Sequence, residues 1–294
     1  MSLWKNRPLK PMLLKEVDKP FNDKDYIYEI KFDGIRAIVY ANKKTINIYS
    51  RNGKEITHLY PELENIKEIV SKNTIFDGEI VLFENNKPSF SKLLERNNTK
   101  KKNKIKSYQQ NYPVNFMCFD ILYEGKDLNE LTLLERKKIL SKYKDNDHFN
   151  KTFFIEEKGI NLFKEIKKLN LEGIVAKKKD SIYEIGVRTY NWLKIKNIKQ
   201  EEFYIGGYTI NKNNLSLYLG ELNNNKLNYV GKVALAKKYK LSQDILKSKK
   251  LKLSTFNSKI DEDIIYIKPN YKVNVSYLEK NNNGHLRHPN IIIK

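Results

Sequence analysis

The chain has 294 residues, with 56 Lys and Arg against 35 Asp and Glu, a formal net charge of +21. That length suits two medium domains, each burying its own core, and the basic excess favours a polyanionic partner such as nucleic acid. The one cysteine, Cys118, rules out an internal disulfide framework and reads as a core residue in a reducing cytoplasm. No run is apolar enough to span a bilayer, no secretory leader is visible, and His58, His148, His285 and His288 lack zinc spacing. These features predict a soluble intracellular protein without a membrane partner.

The opening 8–20 is irregular and carries the apolar anchor Pro11-Met12-Leu13-Leu14. Tyr26, Tyr28 and Ile30 then alternate as in a half-buried strand, and Ile38 and Tyr40 resume the alternation. Between them lies Lys31-Phe32-Asp33-Gly34-Ile35-Arg36. Gly34 permits a short turn there and lets a ligand approach the backbone. A partly desolvated lysine spends time as a neutral amine, which is a nucleophile, and Arg36 is a planar cation suited to phosphate. Taken alone, so short a pattern also fits a surface strand with a Lys31–Asp33 salt bridge. A hairpin through Asn42-Lys43-Lys44 leads to a strand over 45–49 and the turn Ser50-Arg51-Asn52-Gly53, whose arginine faces either solvent or a phosphate.

Pro61-Glu62-Leu63 opens a helix with Leu63, Ile66 and Val70 on its core face. The apolar strand pattern over 74–83 is interrupted by Asp77-Gly78-Glu79, two acids that need partners. The basic run 100–106 reads as a solvated loop, with a phosphate contact as the alternative. Another strand covers 116–123, with Asp120 after Phe119, and Thr132-Leu133-Leu134-Glu135 matches a capping box for a helix to about Tyr143. After a helix over 162–169, Leu171-Glu172-Gly173-Ile174-Val175-Ala176-Lys177-Lys178 brackets a small apolar strand with an acid and lysines, and Glu172 and Lys177 are candidates to pair with each other. In Trp192-Leu193-Lys194-Ile195-Lys196 the alternation puts Lys194 and Lys196 on one face, suited to a bound anion or to plain solvation. Beyond the polar segment 197–201 come short strands over 203–210, 215–222, 227–233, 264–268 and 271–279 and a helix near 242–249, a pattern fitting a small Greek-key barrel of OB type.

In order and approximate spacing these oddities resemble the motifs of covalent nucleotidyltransferases: ATP-dependent DNA ligases, RNA ligases and capping enzymes. Lys31 to Arg36 resemble the K-x-D-G-x-R signature, Ser50-Arg51-Asn52-Gly53 the arginine turn, and Asp77-Gly78-Glu79 the third motif. Phe119-Asp120 resembles the aromatic strand motif, Glu172-Gly173-Ile174-Val175 the fourth and Lys194-Ile195-Lys196 the fifth. The likeness is closest to bacterial end-joining DNA ligases, through Ser50-Arg51-Asn52-Gly53-Lys54-Glu55-Ile56-Thr57, Phe119-Asp120-Ile121-Leu122-Tyr123 and Leu286-Arg287-His288-Pro289, and it covers nearly the whole chain as a ligase core without polymerase or phosphoesterase modules.

The resemblance implies an α+β fold: an ATP-grasp-like nucleotidyltransferase domain over 1–198, with antiparallel sheets and flanking helices, then an OB-fold DNA-binding barrel over 199–294. It implies that Lys31 attacks the α-phosphate of ATP to form lysyl-AMP, that the adenylate passes to a DNA 5′-phosphate, and that a 3′-hydroxyl displaces AMP. Lys194 and Lys196 would hold the α-phosphate and help keep Lys31 neutral. Glu79 would accept from the ribose hydroxyls, Phe119 would stack on adenine, and Glu29 lies at the adenine edge. Arg36 and Arg51 would position ribose and nick phosphate, and Glu172 would bind Mg2+ or Mn2+. The implied setting is a cytoplasmic, nucleoid-associated monomer acting on nicked or broken duplex DNA, with an end-binding protein to recruit it. An RNA ligase or capping-type enzyme is the neighbouring alternative. A DNA-binding clamp with impaired self-adenylation is another, because the family continues after R-H-P into an R-x-D-K motif where this sequence reads Ile291-Ile292-Ile293-Lys294. On that reading self-adenylation is slower than sealing, with Arg287 and Lys294 as substitute cations.

Overall fold

The computed structural model describes residues 2–224, 226–281 and 283–293. The chain divides into two compact units, Met1–Asn197 and Ile198–Lys294. No helix among the described residues is long and apolar enough to cross a membrane.

The first unit is built on two sheets. One has the order Leu13–Glu16, Arg188–Lys196, Gly173–Lys178, Tyr26–Ile30, Phe154–Glu156. The other runs Ile46–Ser50, Ile35–Ala41, Thr74–Glu84, Val114–Glu124, Phe149–Lys151, with Lys87–Pro88 beside Thr74–Glu84. Pairing is antiparallel except where Leu13–Glu16 meets Arg188–Lys196 and where Val114–Glu124 meets Phe149–Lys151. The apolar anchor near the N-terminus is thus an edge strand, with Met12 fully buried beneath it.

Strand periodicity decides which core each side chain enters. In Ile35–Ala41, Ala37, Val39 and Ala41 face one cluster with Phe76, Leu63, Ile66 and Val70, while Ile38 and Tyr40 face another with Ile27, Leu122 and Trp192. The second cluster takes members from both sheets and so lies between them. On the outer face of the first sheet, Tyr28, Ile174, Ala176, Leu193 and Ile195 pack with Phe163 and Ile166 from the helix Gly159–Lys168. A strand buried on both faces reads as a continuous apolar run, and this is why the polar interruptions stand out in the sequence.

The alternation on either side of Lys31 belongs to two different strands in two different sheets, with the segment 31–34 crossing between them. Gly34 is required there by crowding: a Cβ would lie 2.3 Å from the carbonyl oxygen of Ile80 and 2.7 Å from Glu79 Cγ. The expected hairpin is present, Ile35–Ala41 pairing with Ile46–Ser50 across a turn in which Asn42 Oδ1 accepts from the backbone N–H groups of Lys44 and Thr45.

Helices differ from expectation mainly at their ends. The capping box at Thr132 and Glu135 is formed, but the helix is Leu133–Leu140. The segment opened by Pro61 is a 3-10 turn, Pro61–Asn65, followed by one α-turn, Ile66–Ile69. The basic run expected as a loop leads into a helix, Lys102–Asn111. Two fully buried ion pairs tie helices to strands: Arg136 to Asp120, and Arg96 to Glu62, which also accepts from Val114 N.

The second unit is one seven-stranded sheet in which every pairing between its strands is antiparallel. Three long strands, Lys199–Asn211, Asn214–Asn223 and Lys226–Ala236, form a meander. Short strands Lys250–Leu251, Ile265–Ile267, Lys272–Tyr277 and Asn290–Ile291 extend it, and one helix, Lys240–Lys247, sends Ile245 into its core. The meander strands are longer than the sequence pattern suggested, and Lys199–Asn211 pairs with three neighbours, Asn214–Asn223 along one edge and Lys272–Tyr277 and Ile265–Ile267 in turn along the other.

Candidate active site

The crossover at residues 31–34 opens into a pocket in the first unit, lined from both sheets and from the turn at Arg51. Lys31, Glu29, Arg36, Arg51, Glu79, Phe119 and Lys194 all line it. Glu172 and Lys196 stand just behind, each connected to a lining residue or its partner by an ion pair.

Lys31 Nζ lies 2.8 Å from Glu172 Oε2, with side chains 20% and 12% exposed. The Lys31 backbone N–H donates to Gly173 O at 3.0 Å. Gly173 has φ +154°, and a Cβ there would lie 2.1 Å from Ile195 O, so only glycine lets the strand start this close to its neighbour and set Glu172 beside the amine. Lys31 is therefore paired across the sheet with Glu172, and Lys177 is paired with Glu29 at 2.8 Å rather than with Glu172.

Arg36 is clamped by Asp77, Nε to Oδ1 at 3.0 Å and Nη2 to Oδ2 at 2.6 Å. The Tyr183 hydroxyl donates to Asp77 Oδ2 at 2.6 Å and accepts from Met12 N at 3.0 Å, which ties the clamp to the edge strand. The guanidinium lies 5.0 Å from the ring centre of Phe119 and 5.8 Å from that of Trp192. Burial works against its charge, but the adjoining Asp77 carboxylate outweighs that and holds it above its ordinary pKa. Thus the acids interrupting the apolar strand separate in role: Asp77 is wholly buried and holds Arg36, while Glu79 faces the pocket. Burial pushes the Glu79 carboxyl up to about 8, against the pull of Lys31 and Arg36.

At the inner end, Lys177 Nζ sits 4.1 Å from the ring centre of Phe119 and 4.2 Å from that of Trp192. Burial lowers its pKa to about 8, with Glu29 opposing. Glu29 also pairs with Lys137, so one buried carboxylate faces two lysines.

Lys194 and Lys196 share Glu16 at 3.0 and 2.8 Å. Burial raises the Glu16 pKa, yet the two ammonium groups outweigh it and the net shift is downward. One carboxylate is thus held between these two lysines. Arg51 is exposed at the rim. In the second unit Arg287 pairs with Glu279 at 2.7 Å, while Lys294 lies outside the described residues.

Trp192 and Arg188 also line the pocket and were not singled out in the sequence, and Lys177, which the sequence offered only as a partner for Glu172, lines it too. The signal for the first two is the parity that pointed to Lys194 and Lys196. In Arg188–Lys196 positions 188, 192, 194 and 196 share one face, while Leu193 and Ile195 enter the core on the other. Glu172 is a single carboxylate beside the amine, and no cluster of three or more His, Cys, Asp or Glu able to hold a metal occurs among the described residues. Such a site suits a hard cation that takes most of its ligands from phosphate oxygens and water.

Residues 11–196 match the family described as ATP dependent DNA ligase domain. The chain is 37% identical over 206 residues to the SPbeta prophage-derived DNA ligase-like protein LigB of Bacillus subtilis, covering 68% of this chain and 72% of that one. It is 30% identical over 295 residues to the multifunctional non-homologous end joining protein LigD of Mycolicibacterium smegmatis, covering 95% of this chain but only 37% of the relative. The solved structure of mycobacterial DNA ligase D complexed with ATP and MES superposes with TM-score 0.59 at 25% identity, covering 96% of this chain and 93% of that one. The fold is that of a nucleotidyltransferase-type ligase domain. The chain belongs to the ATP-dependent DNA ligase family.

Proposed function

We propose that this chain seals nicks or breaks in duplex DNA, with Lys31 as the nucleophile. The observation that carries the reading is the lysine's position. It stands at the crossing of two sheets, paired with Glu172, in a pocket that also holds a buried acid–lysine pair, two aromatic rings, a clamped arginine and Lys194, which shares Glu16 with Lys196.

The Lys31 amine gives up its protons to solvent as it forms a P–N bond to the α-phosphate of ATP, and the bond to the β-phosphate breaks to release pyrophosphate. Lys194 and Lys196 exchange Glu16 for the α-phosphate, and their charge stabilises the crowded phosphorus centre. Adenine stacks on Phe119, with Glu29 and Lys177 at its polar edge. Arg36 and Glu79 hold the ribose, and Arg51 at the rim meets the DNA phosphate. Glu172 would hold Mg2+, which offsets phosphate charge when bound. The AMP then passes to the DNA 5′-phosphate, and the 3′-hydroxyl displaces it. The second unit acts in this proposal as an OB-type barrel binding DNA, in a monomer that an end-binding protein brings to breaks in the nucleoid.

ATP labelled at the α-phosphate should label the protein, and added nicked duplex should then yield a joined strand on a denaturing gel. Label that never reaches DNA, or joining confined to RNA, would contradict the reading.

The Glu79 assignment predicts a pH dependence. A carboxyl with a pKa of about 8 is mostly neutral at pH 6 and ionised at pH 9, and only the ionised form accepts strongly from both ribose hydroxyls. ATP affinity should therefore rise as pH increases through about 8 and then level off, and Glu79→Gln should flatten the profile. Titrating binding by calorimetry from pH 6 to 9 checks it.

A further inference from the structure

The lysine-bearing helix Lys102–Asn111 takes no part in the pocket, and the proposed chemistry leaves it unexplained. Lys100, Lys101, Lys102, Lys104 and Lys106 fall within seven residues, and no Asp or Glu occurs anywhere from Asn97 to Phe119. The helix buries none of its residues, and all five lysines are exposed. Only Ile105 leans on the core.

A helix charged merely for solubility interleaves the two signs, as this chain does elsewhere: Lys67 pairs with Glu64, and Lys168 with Glu165, each one turn apart. None of the five lysines takes part in an ion pair among the described residues, although their mutual repulsion weakens the helix that displays them. Uncompensated positive charge of this kind is the footprint of a polyanion.

The helix is joined to the mouth of the pocket by a continuous run of contacts. Phe32, next to the nucleophile, meets Phe83 edge-on at 6.5 Å, and Phe83 is 36% exposed. Glu84, the next residue, is neutralised by Lys92 at 3.3 Å. Lys92 lies over the ring of Tyr112 at 4.0 Å, and Tyr112 contacts Tyr108 on the helix at 6.3 Å. The path between the reacting centre and the helix is therefore lined by aromatic rings, and the charge of Glu84 on it is balanced by Lys92.

We propose that the helix Lys102–Asn111 and the lysines leading into it form a second, sequence-independent contact for the phosphate backbone of duplex DNA, on the flank of the break. This inference rests on the ligase reading for the location of the break, but its duplex contact is tested by binding alone. A straight helix of this length is ~15 Å long, enough to follow a stretch of one strand. Its lysines act as point charges with no base-edge readout.

The test compares the full chain with the variant Lys100→Gln, Lys101→Gln, Lys104→Gln and with the same three positions changed to Arg. Binding to a nicked duplex is measured over a series of salt concentrations, and AMP attachment is measured separately. Each lost phosphate contact removes about 0.9 from the slope of log affinity against log salt. The Gln variant should show a slope shallower by roughly two to three and a KM for nicked DNA raised on the order of tenfold or more, with AMP attachment unchanged and the Arg variant near wild type. An unchanged slope in the Gln variant would overturn the proposal. So would equal losses in AMP attachment and DNA binding, or an Arg variant as weak as the Gln one, since either makes the helix structural. If the unaltered chain fails to seal DNA yet the slopes differ as stated, the ligase reading fails and the duplex contact stands.

Discussion

Replacing Lys31 by Ala or by Arg should abolish the AMP adduct while leaving the fold and duplex affinity close to wild type. Alanine removes the nucleophile. Arginine keeps the positive charge and the pairing with Glu172, but a guanidinium does not deprotonate to a usable nucleophile near neutral pH. The two side chains are 20% and 12% exposed, so truncation takes one partner from a largely buried carboxylate and should cost about 1–3 kcal/mol of stability, which leaves the protein folded. Intact-mass measurement after incubation with ATP reports the adduct, and denaturant unfolding reports the fold. An adduct that persists in Lys31→Ala would place the chemistry on another amine, with Lys177, buried and shifted to about 8, the foremost candidate.

The second large effect concerns Asp77, which touches no ligand in this account. Its side chain is wholly buried, accepts two bonds from Arg36 and takes the Tyr183 hydroxyl as well. Asp77→Ala strands a buried guanidinium, and breaking a buried pair from one side costs about 3–5 kcal/mol. Tyr183→Phe removes only one bond and should cost about 1–2 kcal/mol. Adenylation should fall in Asp77→Ala by more than the folded fraction explains, because Arg36 loses the fork that aims it into the pocket. Urea unfolding together with adenylation rates normalised to folded protein separates the two effects. A stability within about 1 kcal/mol of wild type would mean that solvent reaches Arg36 and the clamp carries little.

The charged residues that gather at the pocket were legible in the sequence because charges embedded in apolar strand patterns are costly without partners. Lys31, Asp77, Glu79, Glu172 and the pair Lys194 and Lys196 all announced themselves in this way, and the structure brings them to one region of the first unit. Who partners whom was not legible. Glu16 is an ordinary acid at the end of a short strand, and its place between Lys194 and Lys196 follows from a parallel pairing of segments far apart in the chain. The open choice of partner for Glu172 was settled by register: Gly173 faces Lys196 on one side, and its carbonyl accepts from Lys31 on the other.

The same limit hid the break at residues 31–34. Alternation resumes after Gly34 in phase with a single strand, and only the pairings show that the chain has changed sheets, Tyr26–Ile30 joining Gly173–Lys178 and Ile35–Ala41 joining Thr74–Glu84. The helix Lys102–Asn111 escaped for a different reason. It buries nothing, so it has no apolar stripe, and its composition is that of a solvated loop.

The central claim is that the covalent intermediate forms on Lys31. Its most direct test is peptide mapping of the wild-type chain after incubation with ATP and Mg2+, reading the position of the AMP group by fragmentation under conditions that preserve a phosphoamide. The account predicts a single modified peptide with AMP on Lys31, discharged when nicked duplex is added. AMP on Lys177, Lys194 or any other residue, or a Lys31 adduct that nicked DNA never discharges, would contradict it.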